Sequence, residues 1–106
     1  MITVYVKEQS WIARIAAGVL NTRRVAIVIN RTIHLHNTSR IDFTGSRAWL
    51  LHELKHVAQY EQYGTVRFML LYLYESMRKG YINNRFEVEA RAAEHDTTVL
   101  NKYKLL

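Results

Sequence analysis

Apolar and polar residues alternate with a period of two from Ile2 to Val6, which predicts a strand carrying Ile2, Val4 and Val6 on one side. Beyond Ser10 the period lengthens. Trp11, Ile12, Ile15, Ala16, Val19 and Leu20 fall at helical spacing and predict a helix that Ser10 caps and that ends near Asn21. Val25 to Ile29 and Thr32 to His36 are short runs rich in β-branched residues. They predict a hairpin turning at Asn30-Arg31, because Asn tolerates the left-handed conformation such turns use. The polar stretch Asn37 to Ser46 predicts a loop. From Arg47 to about Tyr63 there is no Gly or Pro, and Leu50, Leu54, Val57 and Ala58 form an apolar helical stripe. Further helices are expected from about Thr65 to Lys79 and, after a break at Gly80, from about Asn84 to Leu100. The expected fold class is therefore α+β, a small antiparallel or mixed sheet packed on a helical layer. At 106 residues the chain is expected to form one domain, residues 1–106.

The helix from Arg47 carries the chemistry. His52-Glu53-Leu54-Lys55-His56 spells H-E-x-x-H. Histidines four apart project from one helix face about a turn from each other, so both imidazoles can reach one metal ion, with Glu53 beside them. A zinc hydrolase needs two such neutral nitrogen ligands and a carboxylate that can take a proton from the attacking water. His52, His56, Gln59 and Tyr63 form a polar stripe rotated away from the apolar one. The competing account is a packing helix with two incidental histidines.

Two histidines do not complete a zinc site. No Gly-x-x-His continuation follows His56, so a glutamate is favoured as third ligand, from among Glu61, Glu75, Glu87, Glu89 and Glu94. Glu61 lies too near on the same helix, and Glu75 sits among Leu70, Leu71, Leu73 and Met77 in a segment with the look of a packing helix. The run Asn84 to Glu94 is the better source, because Ala90, Ala92 and Ala93 would let it approach the H-E-x-x-H helix closely.

The pair Leu50-Leu51-His52-Glu53-Leu54-Lys55-His56-Val57-Ala58-Gln59 and Phe86-Glu87-Val88-Glu89-Ala90 resembles the gluzincin metallopeptidases, in particular the small single-domain minigluzincins. It is also similar to short bacterial domains with an L-L-x-H-E-L-x-H-V-x-Q core and to the catalytic part of membrane-embedded CAAX-processing peptidases. The resemblance spans roughly Ile33 to Glu94. It implies a zincin-like fold with an active-site helix and a downstream glutamate helix, Zn2+ as cofactor, and His52, His56 and Glu87 as metal ligands, with Glu89 as second choice for the third. It implies a metalloendopeptidase acting on peptide or protein substrates, with Glu53 as general base. It further implies that the strand before the metal helix, here Thr32 to His36, pairs with an extended substrate.

One position departs from the family pattern, which places Asp four residues after the ligand glutamate as a hydrogen-bond acceptor for a metal-binding histidine. This chain has Arg91 there, and arginine only donates. Glu94, Asp42 or a backbone carbonyl would have to substitute, or metal affinity and activity fall. A developing oxyanion also needs a donor. Tyr81 and His95 are the candidates, with Tyr60, Tyr63, Tyr72 and Tyr74 behind them among seven tyrosines. His34 and His36 alternate on the expected strand and are read as facing water rather than binding metal.

Composition bounds the alternatives. There is no cysteine, hence no disulfide and no thiolate ligand. Nothing near Met1 reads as an export signal, and Phe68 to Tyr74 is too short to span a bilayer, so a cytoplasmic protein without a membrane span is expected. The net charge of +6 suggests a second class, a catalytically inactive metal-binding module or a basic module binding nucleic acid or an anionic surface. The basic residues are spread over separate elements, which makes nucleic acid the less favoured partner. Residues 101–106 are expected to fray; an alternative places them in the cleft as an inhibitory tail of a latent enzyme.

Overall fold

The computed structural model describes residues 1–106. Its α+β chain runs β1 (Ile2–Lys7), α1 (Trp11–Leu20), β2 (Val25–Ile29), β3 (Thr32–His36), α2 (Arg40–Gly45), α3 (Arg47–Tyr63), α4 (Thr65–Lys79), α5 (Arg85–Ala93) and β4 (Tyr103–Leu105). The strands form one mixed sheet in the order β2-β3-β1-β4. β2 and β3 are the antiparallel hairpin, Val28 opposite Ile33 and Ile29 opposite Thr32, and Asn30 makes the turn at φ 57°. β1 lies parallel to β3, and β4 parallel to β1.

The sheet has two different faces because successive side chains point opposite ways. Ile33 and Leu35 of β3, with Val4 and Val28, join the main core of Phe43, Leu51, Leu54, Val57 and Phe86 beneath α3. Val25 packs on the other side with Ala13 and Ala17 of α1, and the small alanines let that helix lie close to the strands. Between α3, α4 and α5 aromatic rings meet, most of them edge-on. Tyr60 and Phe68 are 4.5 Å apart between centroids, Phe68 and Phe86 5.1 Å, Tyr63 and Phe86 5.7 Å. Such rings bury much area and fix the angle at which helices meet.

Helix ends follow local chemistry. Gly64 and Gly80, at φ 83° and 80°, separate α3 from α4 and stop α4, in a backbone region where other residues are strained. Asn84 starts α5: its Oδ1 accepts from the Phe86 N–H at 2.9 Å, while its amide donates to the Tyr72 carbonyl and to Ser76 Oγ on α4. One fully buried side chain thus sets both the origin of α5 and its position on α4.

Four expectations need correction. The Asn37–Ser46 loop contains α2, because Ser39 Oγ accepts from the Asp42 N–H and caps a short helix. The last helix ends at Ala93 rather than Leu100. Asp96 takes the Thr98 N–H and starts a separate 3-10 turn, Thr97–Lys102. The C-terminal residues neither fray nor enter a cleft; they pair as β4 on the sheet edge opposite β2. Ser10 precedes α1 but caps nothing, since its hydroxyl is spent on His34 Nδ1 at 2.8 Å.

Candidate metal centre

The buried face of α3 meets α5 at its alanines, and that approach brings Glu87 against the two histidines. His52 Nε2 lies 3.0 Å from Glu87 Oε1, and His56 Nε2 lies 3.2 Å from Glu87 Oε2. Nitrogen and oxygen ligand atoms of His52, His56 and Glu87 all fall within 4.8 Å of one another, so the three could hold one metal ion. The imidazoles stand edge to face, 5.1 Å between centroids.

The other ring nitrogens are committed elsewhere, which decides the tautomers. Gln59 Nε2 donates to the Phe86 carbonyl at 3.1 Å and to Glu89 Oε1 at 3.2 Å. Both partners are acceptors, so the amide has a single satisfactory orientation, and Gln59 Oε1 accepts from His56 Nδ1–H at 2.8 Å. Glu94 Oε2 lies 2.8 Å from His52 Nδ1 and accepts there in the same way. With Nδ1–H donating outward in both rings, both Nε2 atoms face Glu87: without metal they carry the protons that its carboxylate accepts, and on losing them they would offer lone pairs to a metal ion. Glu94 therefore takes the acceptor place that Arg91 cannot fill. Asp42 is exposed on α2, and Arg91 instead donates to the Ile82 carbonyl, holding the loop that carries Tyr81.

Charges within the cluster are strongly coupled. Burial disfavours a charged Glu87, but hydrogen bonds from His52, His56 and Tyr72 outweigh it and hold the carboxyl well below the usual carboxylate range. Burial likewise opposes a charged His52, yet Glu87, Glu53 and Glu94 raise it to about 9 without metal. His56 is raised for related reasons. Glu53 makes no hydrogen bond to either ring; burial pushes it up to about 7 against the pull of His56 and His52.

Among the tyrosines, Tyr72 lies against the cluster and donates to Glu87 Oε2 at 2.6 Å. Sequence placed it only among the secondary candidates, because its spacing from the motif carries no signal. Tyr81 lines the cleft, and burial together with Glu87 and Glu53 raises its hydroxyl to about 12. His95 is exposed in the turn after α5 and lines neither cavity at the site. Glu89 points outward and only orients Gln59. Glu75, also buried, accepts from the Arg85 N–H at 3.2 Å and pairs with Lys79, so it serves the α4–α5 junction. His34 is buried under α1 rather than facing water, and it stands apart from the cluster.

Two cavities, of about 650 and 670 Å3, share His52, Glu53, Tyr81, Leu20 and Ala26 in their walls. The first is bounded by Ile15 and Val19 of α1, Ala26 to Val28 of β2, and Tyr60, Phe68 and Tyr72; the second by Arg24, Trp49 and Glu94. β2 is the edge strand beside both. β3, expected to face a substrate, is enclosed between β2 and β1 and has no free edge. Chain order misleads here because the hairpin folds its first strand outward. No helix is long and apolar enough to cross a membrane. Compared with protein-family models, curated proteins and solved structures, the chain matches none.

Proposed function

We propose that this chain is a zinc-dependent peptidase of the gluzincin type, with His52, His56 and Glu87 as metal ligands and Glu53 as general base. The convergence of the three ligand atoms at one point beside an open cleft is the observation that carries the reading. Two nitrogens and one carboxylate oxygen match the donor set of catalytic zinc, which leaves a coordination position free. Bound zinc would supply Lewis-acid polarisation of a carbonyl and acidify a water molecule.

The remaining work falls to the chain's own residues. Glu53 follows His52 on α3, and in this role it takes the proton of the attacking water and returns it to the departing amine. Tyr72 and Gln59 position ligands: the first donates to Glu87, the second accepts from His56. Tyr81, on the cleft wall, is the favoured hydrogen-bond donor to the oxyanion. An extended peptide would pair with the outer edge of β2, main chain to main chain, and lay one apolar side chain against Ile27, Phe68 and Tyr72.

The test is a zinc titration of the metal-free protein beside His56→Ala and Glu87→Ala, followed by peptide-library cleavage with Glu53→Gln as control. About one zinc per chain, weakened in both ligand variants, with cleavage lost in Glu53→Gln, is the expected result. No zinc uptake by the parent would discard the reading.

A further inference from the structure

α1 and α4 each carry an outward apolar face that packing against the rest of the chain leaves uncovered. α4 buries Phe68 and the carboxylate Glu75 while exposing Val66, Leu70, Leu73, Tyr74 and Met77, which recur at helical spacing as one broad outward stripe. Leu70 is 63% exposed and Met77 79%. α1 has such a face too: its buried residues are Ala13 and Ala17, and Trp11, Ile15 and Val19 face outward at 66%, 59% and 79% exposure. Single exposed apolar residues are ordinary; a helix that buries only alanines beneath exposed Trp11, Ile15 and Val19, and a second that adds a broad outer apolar stripe to its inner face of Phe68, Leu71 and Tyr72, are not. The two faces adjoin at the cleft, which Ile15 and Val19 from α1 border together with Met69, the exposed neighbour of Leu70 on α4.

Charge identifies what would cover them. Neither helix has an exposed carboxylate: α1 contains no acidic residue, and the single acid of α4, Glu75, is buried and paired with Lys79. The exposed acids Glu8, Asp42, Glu61, Glu89 and Asp96 lie on other segments. Arg14 stands on α1, and Arg67, Arg78 and Lys79 on α4. A second copy docking on this face would bring arginine towards arginine. An anionic lipid surface supplies apolar depth for the stripes and negative charge for the flanking bases, with Trp11 and Tyr74 suited to the interface between them. We propose that the outward faces of α1 and α4 dock this protein on an anionic membrane surface, lying on it without crossing it, with the mouth of the cleft beside the lipid.

This inference is independent of the peptidase reading, and the experiment separates the two. The full chain is floated with phosphatidylcholine vesicles and with vesicles enriched in phosphatidylglycerol. The expected result is binding to the anionic vesicles, weakened by salt, with a blue shift in tryptophan emission. The double variant Leu70→Ser, Met77→Ser alters only exposed positions away from the cluster. It should keep the parent's circular dichroism and zinc uptake while partitioning about tenfold less or weaker. His56→Ala should float like the parent, whatever its zinc uptake. Three results would overturn the proposal: no binding to anionic vesicles at low salt; equal binding by the double variant, which would leave charge alone responsible; or a parent dimer in light scattering that the double variant splits, which would assign the face to a second copy.

Discussion

Two buried histidine sites lie on opposite faces of the same sheet, and their neighbours make them chemical opposites. On the α1 face His34 is 8% exposed, its Nδ1 is bonded to Ser10, and burial together with Lys7 lowers its proton affinity. On the α3 face His56 is 7% exposed, yet it and His52 hold protons more tightly than free imidazole because Glu87, Glu53 and Glu94 surround them. Burial alone therefore does not give a histidine a hold on a cation. What distinguishes the α3 side is converging carboxylate, enough to attract a cation whether proton or metal, and no carboxylate is bonded to His34.

The sharpest test of that contrast is Glu53→Gln, which removes the proposed base and leaves the three candidate ligands. Turnover should fall about 10²- to 10⁴-fold with zinc stoichiometry unchanged, measured on one cleavable peptide; undiminished cleavage would remove Glu53 from the mechanism. Glu87→Ala takes away the carboxylate shared by both imidazoles. Competition with a chromogenic chelator should show zinc affinity reduced by more than about 100-fold, above the range typical of supporting residues. Glu94→Ala touches only the outer nitrogen of His52, and a loss of about 10- to 100-fold is expected in the same assay. An unchanged affinity would mean that His52 Nδ1 needs no carboxylate acceptor.

The pH dependence separates the two faces without mutation. In chelator-treated protein His52 is raised from 6.5 to about 9, so its contribution to stability is full below about pH 6.5 and is lost as pH rises through about 9. The unfolding free energy from denaturant titration should fall over that window by an amount on the order of 2 kcal/mol, and zinc loading should abolish the trend. A flat profile in the metal-free protein would show that the carboxylates do not grip the His52 proton. The smallest effect belongs to the other face. Ser10→Ala leaves His34 Nδ1 without its partner and should cost about 1–3 kcal/mol of stability in urea unfolding, with zinc affinity unaltered.

Much of this arrangement is legible in the chain because it is local. Helical period and the glycines at 64 and 80 delimit α3 and α4, and the spacing of His52 and His56 on α3 follows from the helix itself. Residue types also narrowed the third candidate ligand to a few glutamates. The rest depends on contacts distant in sequence. That Glu87 and not Glu75 faces the histidines depends on Asn84, whose side chain starts α5 while it is anchored to α4. Glu94, Tyr72 and Gln59 acquire their roles only when α3, α4 and α5 are packed, since their hydrogen bonds join atoms whose separation no periodicity encodes. The free edge of β2, the buried place of His34 and the pairing of the last residues as β4 are likewise properties of strand order. Periodicity specifies which face of an element is apolar and which side chains share it; which element that face meets is settled by side-chain fit and long-range hydrogen bonding, and those exist only in the folded chain.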